Sequence, residues 1–156
     1  MRIPSLFFTI LLFSCAAEKS KEVTVPSLET KNYSKETCID ESCAKVNFTW
    51  PEFESSERGY NVNQAVQDQL VSYFYSDSVG SSLEEQSQSY LNSFLEAKAD
   101  FPDMPGGWEM EVEAIVSFDS LSTLSIFFTE FNYSGGAHPN SSNYFMNFDR
   151  DSGDYL

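Results

Sequence analysis

Few side chains in this sequence belong to the types that commonly carry out catalysis. His138 is the single histidine, and it follows the pair Gly135-Gly136. A histidine can act as an acid, a base or a metal ligand, but no cluster of cysteine or histidine residues accompanies this one. Because glycine tolerates positive φ in tight loops, we expect His138 to cap or brace such a loop. Contact with a ligand stays open as an alternative.

Three carboxylates occupy alternate positions of one segment. Glu109, Glu111 and Glu113 interleave with Trp108, Met110, Val112 and Ala114. On a strand this spacing places the three carboxylates on one face, about 7 Å apart. Such a row could bind a cationic partner or Ca²⁺, and a solvated face without any ligand is the alternative.

A second group of acids surrounds a glycine near the end of the sequence. Asp149, Asp151 and Asp154 flank Gly153. The spacing fails the calcium-loop pattern, because Gly153 stands where a ligand belongs. We therefore predict a hairpin turn here, and the sequence as a whole predicts neither a metal site nor a cofactor.

Aromatic side chains recur in the segments with helical spacing. Tyr73, Phe74, Tyr75, Tyr90 and Phe94 could line a platform for a carbohydrate. Packing in a core explains four of them without a ligand, and Tyr75 is the one expected to face outward.

Cys38 and Cys43 are separated by four residues. A secreted protein favours a disulfide between them. The alternative, a zinc site, would need two further ligands that the sequence does not offer.

The first residues are typical of a bacterial lipoprotein signal. Arg2 precedes an apolar run over residues 6–13, and Leu12-Phe13-Ser14-Cys15 resembles a lipobox. The run is too short to span a membrane. We expect a signal peptide over residues 1–14, with lipid on Cys15 anchoring an extracytoplasmic protein to the bacterial membrane. An ordinary secreted protein, or a buried apolar segment, is the alternative.

The charge excludes several classes of partner. The chain has 156 residues, with 9 Lys and Arg against 24 Asp and Glu, and a formal net charge of −15. Nucleic acids and anionic membrane surfaces need basic patches. Most of the excess negative charge lies after residue 45, where Arg58, Lys98 and Arg150 are the basic residues. The aromatic content of 15% is too high for a disordered acidic tail.

Periodicity predicts an α+β domain. Residues 15–42 are polar and are predicted to be a flexible tether, followed by a domain over residues 43–156. Strands are predicted from Val46 to Trp50, from Trp108 to Phe118, from Leu121 to Tyr133 and from Ser142 to Phe148. Two helices are expected between the first two strands, one capped by Asn61 or Asn63 and one beginning with a Ser82–Glu85 capping box. The order β-α-α-β-β-β predicts an antiparallel sheet with both helices on one face.

The loop that contains His138 resembles a known signature. Tyr133-Ser134-Gly135-Gly136-Ala137-His138-Pro139-Asn140, with Asn147-Phe148-Asp149 and Ser152-Gly153, is similar to the motif of the PdaC-type domain. That domain accompanies the catalytic domain of the peptidoglycan deacetylase PdaC and forms part of the extracellular region of RsiV-like anti-sigma factors. The residues that carry the resemblance are Tyr133, Gly135, Gly136, Ala137, His138, Asn140, Phe148, Asp149 and Gly153.

The lipobox, the PdaC-type resemblance and the concentrated negative charge together favour a binding module over an enzyme. In PdaC-like enzymes the deacetylase chemistry lies in a separate domain that does not map onto this sequence, and family members usually continue into a second domain, here missing or truncated. RsiV-like ectodomains are associated with lysozyme, a basic protein. We therefore expect a non-catalytic, lipid-anchored envelope module that binds a cationic protein such as lysozyme, or peptidoglycan, through Glu109, Glu111 and Glu113. One alternative is an accessory domain or weak enzyme of peptidoglycan modification that uses His138 with acids from the adjacent loop. Another is a purely structural or assembly role.

Overall fold

Five strands and two helices make up the computed structural model, which describes residues 28–54, 57–75 and 80–156. In chain order they are β1 (Leu28–Ile39), β2 (Ser42–Phe53), α1 (Glu57–Ser72), α2 (Leu83–Asp100), β3 (Trp108–Asp119), β4 (Thr123–Tyr133) and β5 (Asn140–Asp149). The predicted α+β class is confirmed, with one more strand at the start than expected. No helix among these described residues is long and apolar enough to cross a membrane.

The strands form one sheet in the order β1-β2-β3-β4-β5. Neighbours are antiparallel except β2 and β3, which are parallel. The prediction of a wholly antiparallel sheet is therefore wrong at this pair. The reason is the connection, because α1 and α2 carry the chain back across the sheet and let β3 start beside the start of β2.

The first strand corrects the predicted tether. Leu28–Ile39 pairs with β2 along its whole length, from Leu28 opposite Phe53 to Ile39 opposite Ser42. On one face the contacts are polar: Ser34 Oγ donates to Asn47 Oδ1 at 2.7 Å. Edge strands depend on backbone pairing and need little apolar surface, so this segment shows no clear apolar alternation. Residues 15–27 of the predicted tether, with Cys15, lie outside the described residues.

The helices are tied down at their starts by side chains. Asn61 and Asn63 lie within α1, so the predicted cap is wrong there. Asn63 instead accepts from the backbone N–H of Phe53 and donates to its carbonyl, both at 2.9 Å, which joins α1 to the end of β2. At α2 the predicted capping box is confirmed. The backbone N–H of Ser82 donates to Glu85 at 2.8 Å, and this bond holds the pKa of Glu85 below its usual value.

The core lies between α1 and one face of the sheet. Its fully buried members come from α1 and the inner positions of β2, β3, β4 and β5: Val62, Val66, Leu70, Val46, Phe48, Met110, Val112, Ile126, Phe128 and Phe148. The inner row of β3 ends early, because the register of β3 shifts between Val116 and Phe118. Phe118, which uninterrupted alternation from Met110 would place on the buried face, is 55% exposed as a result.

Removing the Phe48 ring should destabilise the fold strongly. Phe48 is 1% exposed and stacks on Phe74 with ring centroids 5.5 Å apart. Phe48→Ala should lower the free energy of unfolding by about 3–5 kcal/mol, because the vacated volume cannot collapse fully. Urea unfolding measures the change, with Phe118→Ala as the control expected to change it by less than about 1 kcal/mol. Equal losses in the two variants would contradict this assignment of the core.

Candidate functional site

The helices leave one side of the sheet uncovered. Along β3 the even-numbered residues from Met110 to Ala114 are buried, whereas Glu111, Glu113 and Ile115 are exposed. Both helices contact β2, whose buried residues share the side of Met110 and Val112. We call the opposite side the open face: the odd-numbered residues Glu109 to Ile115 and their in-register partners on the neighbouring strands.

The three predicted carboxylates lie in the middle of the open face. Glu109, Glu111 and Glu113 stand opposite Lys45, Asn47 and Thr49 of β2. On the other side they stand opposite Tyr133, Phe131 and Thr129 of β4. Glu111 and Glu113 are exposed, and Glu109 is half-buried. The structure thus places the row on one face, as predicted, and surrounds it with amides, hydroxyls and aromatic rings.

Little positive charge balances this row. Lys45, the basic neighbour of Glu109, forms its ion pair with Glu36 at 3.5 Å. Within the described residues no ion pair involves Glu109, Glu111 or Glu113. Like charges two residues apart repel one another, and no ion pair among the described residues offsets the negative charge of this row.

An apolar row borders the carboxylates. Ile115, Phe127 and Phe145 lie side by side across β3, β4 and β5. The two phenylalanine ring centroids are 4.5 Å apart, while Ile115 and Phe145 are 47% and 55% exposed. Aromatic side chains are enriched in protein–protein contacts, which have an apolar centre and a polar rim. Sequence reasoning missed this row because its three residues lie on three strands whose register the sequence does not specify.

The glycine-rich loop connects β4 to β5 beside this face. Gly135 and Gly136 have φ of 92° and 98°, values that side chains with a Cβ rarely adopt. Tyr133 Oη donates to the carbonyl of Gly136 at 3.1 Å. The loop is therefore braced by Tyr133. His138 is exposed, and the contact it makes is between its Nδ1 and the carbonyl of Pro139, at 3.0 Å.

A small cleft joins the loop to the open face. It has a volume of about 280 Å³ and is lined by Cys43, Lys45, Gly107, Trp108, Glu109 and Tyr133. Gly107 makes this close packing feasible, because a Cβ there would lie 1.9 Å from the carbonyl oxygen of Cys43. The indole nitrogen of Trp108 lies buried at this end of the sheet, without a hydrogen-bond partner among the described residues.

Tyr90 of α2 supports the same end of the sheet from the helix side. Its hydroxyl donates to the carbonyl of Tyr133 at 3.3 Å, and its ring lies 5.5 Å from that of Trp108. Burial, with a smaller contribution from the charge of Glu109, raises the pKa of Tyr90 well above its ordinary value. Of the predicted aromatic platform, Tyr90, Phe74 and Phe94 thus serve packing, and Tyr75 is exposed as expected.

The cysteines form the predicted disulfide. Cys38 and Cys43 face each other across β1 and β2 and are joined, closing the hairpin turn at Asp40. With Glu36 they are the one group of three candidate metal ligands within 4.8 Å among the described residues. Because both sulfurs are bonded to each other, they are not available as thiolate ligands.

The end of the motif is a turn far along β5 from the glycine loop. Asp149 Oδ1 accepts from the backbone N–H groups of Ser152 at 2.9 Å and Asp151 at 3.0 Å. These two bonds hold the pKa of Asp149 below its usual value. Gly153 has a φ of 78° and donates its N–H to the carbonyl of Asp149. The predicted hairpin turn is present.

The rest of the motif divides between these two ends of β5. Phe148 is buried, with its ring 5.8 Å from that of Tyr155. Asn140 begins β5 and is exposed, as is Ala137 in the loop. The turn also contains an ion pair that the sequence did not reveal, between the buried Arg150 and Asp119. Most of the motif therefore forms the turns at which strands end. Only its first part, Tyr133 to Asn140, borders the open face.

These observations define the class of the protein as an α+β domain, with a five-stranded sheet, two helices on one side and an acidic opposite side that neither helix covers. The sequence profile described as Deacetylase PdaC matches residues 37–141, so the chain belongs to this family. The match includes Tyr133 to Asn140 and ends before Phe148, Asp149 and Gly153. No curated protein matches the chain.

Two solved structures share the fold. One is a DUF3298 family protein from Pseudomonas aeruginosa PAO1, with a TM-score of 0.62 and 21% identity over 83% of this chain and 55% of that one. The other is a DUF3298 family member from Bacteroides fragilis NCTC 9343, with a TM-score of 0.63 and 13% identity over 84% of this chain and 59% of that one. This chain therefore spans little more than half the length of either protein.

Loss of the Tyr133 hydroxyl should loosen the glycine loop. Tyr133→Phe removes the hydrogen bond to Gly136 and keeps the ring, so the free energy of unfolding should fall by about 1 kcal/mol. Urea unfolding checks the value, and Tyr60→Phe, at a tyrosine 67% exposed on α1, is the matched control. If both variants are as stable as the parent protein, the brace assigned to Tyr133 is wrong.

Proposed function

We propose that this domain is a non-catalytic binding module of the bacterial cell envelope, anchored by lipid on Cys15, and that its open face binds a basic protein. The observation that carries the proposal is the row Glu109, Glu111 and Glu113 on the central strand, with no ion pair among the described residues. Complementary charge speeds encounter and selects partners. Membership of the family described as Deacetylase PdaC supports the envelope context, and the proposal goes beyond it in naming the surface.

The composition of the open face supports a protein as the partner. Flat surfaces with exposed aromatic side chains beside charges suit protein contacts. Ile115 and Phe145 provide the apolar part next to the carboxylates. The cleft beside the loop, at about 280 Å³, is at the small end of the range typical of sites for small molecules.

His138 supports a role without catalysis. Its ring is exposed, and its Nδ1 contacts the carbonyl of the following residue. A catalytic histidine is normally oriented by a second group and faces a substrate pocket. The proposal therefore assigns no reaction to the loop and treats it as the edge of the binding surface.

Neutralising two carboxylates of the open face should weaken the binding of lysozyme, the basic protein used as the probe. Glu111→Gln combined with Glu113→Gln should raise the dissociation constant at least about tenfold, or about 1.4 kcal/mol. Isothermal titration calorimetry at low salt measures it, and about 1 M NaCl should abolish binding of the parent protein because it screens exposed charges.

The matched control removes the same charge elsewhere. Glu96→Gln combined with Asp100→Asn changes two exposed acids of α2 and should leave the dissociation constant within about twofold of the parent value. Equal weakening by both double variants would show that only total charge matters. Salt-insensitive binding, no binding, or binding to purified peptidoglycan alone would also contradict the proposal.

The anchoring part of the proposal has its own test. Cys15→Ser should move the protein from the membrane fraction to the soluble fraction of the expressing bacterium, because the acylated thiol is lost. Metabolic labelling with a fatty acid and fractionation measure this, and Ala16→Ser is the control. Unchanged membrane association of Cys15→Ser would show that no lipid on Cys15 holds the protein.

A further inference from the structure

A buried carboxyl group on the helix side of the sheet lacks part of its hydrogen bonding. Glu130 of β4 is 3% exposed. Its Oε2 accepts from Ser142 Oγ of β5 at 2.7 Å, but its Oε1 is buried and has no partner among the described residues. Two residues further along the same face, Asn132 Oδ1 is buried and also lacks a partner within the part of the chain that the structure describes. Buried polar atoms are normally paired, so these two acceptors on one strand face can accept from a donor outside the described residues.

Aromatic rings surround this carboxyl group. Phe128 lies beside Glu130 on the same face, and its ring centroid is 6.5 Å from that of Tyr73 and 6.5 Å from that of Tyr144. Burial raises the pKa of the Tyr73 hydroxyl, and the nearby charge of Glu130 adds to the effect. Across the sheet, Val112 of β3 stands opposite Glu130. Apart from the Ser142 hydroxyl, the surroundings are therefore aromatic rings, two of which belong to tyrosines, and one aliphatic side chain.

The carboxyl group of Glu130 can be reached from the outer edge of the sheet. Ser142 is exposed and Tyr144 is 40% exposed, and both lie on β5, the last strand of the sheet. A ligand entering over β5 would pass these side chains before it reached Glu130. The ring of Tyr144 and the hydroxyl of Ser142 line this path.

We propose that Glu130, Asn132, Ser142, Tyr73 and Tyr144 form a binding site for the ammonium group of a lysine side chain from a partner protein. An ammonium group carries three donors and no acceptor, which suits a site where acceptors are left over. Tyrosine rings attract cations at their faces, and the lysine stem is apolar enough to pass between rings.

This site lies on the opposite side of the sheet from Glu111 and Glu113. It stands on different residues from the open face, so either proposal can fail without the other. The Glu130 site adds a second contact that is more selective than the open face, because its ligand must have a side chain that reaches a buried carboxyl group.

The test uses Nα-acetyl-L-lysine methylamide as the probe and the ¹⁵N-labelled protein. Saturable shifts are expected at the amide signals of Asn132, Ser142 and Tyr144, with nuclear Overhauser contacts from the probe's ε-methylene protons to the Tyr144 ring. Glu130→Gln should weaken the apparent affinity at least about tenfold, and Glu96→Gln on α2 should leave it unchanged.

Several outcomes would overturn the site. One is an absence of saturable shifts, and another is an equal response to the Nε-acetylated probe, which has no charge. Tighter binding of CaCl₂ at the same signals would assign the site to a metal ion instead. If Glu130→Gln does not fold, Ser142→Ala decides: its affinity should fall several-fold, and an unchanged affinity overturns the proposal.

Discussion

The parallel pairing of β2 with β3 determines which side of this sheet is free. Two parallel neighbours cannot be joined by a hairpin, and the crossover that joins them must pass over one face. Here the crossover holds α1 and α2, which contact β2 on its buried side. The five strands then share a single covered side, and the alternation of β3 sends Met110 and Val112 into the core and Glu111 and Glu113 outward. The free acidic side follows from this connection.

Close packing at one end of the sheet links the glycine loop to the open face. Gly107 brings the start of β3 against the carbonyl of Cys43, next to the disulfide that closes the β1–β2 hairpin. Tyr133 belongs to both features, because it stands opposite Glu109 and also braces the glycine loop. The loop therefore fixes the end of the carboxylate row. This gives the sequence motif a physical role that needs no catalytic histidine.

Patterns that are local in sequence could be predicted. The alternation from Trp108 to Ala114, the Ser82–Glu85 capping box and the Cys38–Cys43 disulfide all depend on short spacing, and the structure contains each of them. The exposure of Phe118 could not be predicted, because a bulge that the alternation does not show moves its side chain to the other face of the sheet. The strand β1 could not be predicted, because its pairing with β2 uses the backbone and polar side chains. The Glu130 cluster and the Arg150–Asp119 pair join residues distant in sequence, and composition carries no signal for them.

The central claim is that the open face is the interaction surface, and mapping the contact residue by residue tests it most directly. Backbone amide signals of the ¹⁵N-labelled protein are followed as unlabelled lysozyme is added at low salt. The account predicts shifts or broadening concentrated at Lys45, Asn47 and Thr49 of β2, Glu111 and Glu113 of β3, and Phe127 to Phe131 of β4. Changes concentrated on α1 and α2, with the signals of β3 unmoved, would contradict it.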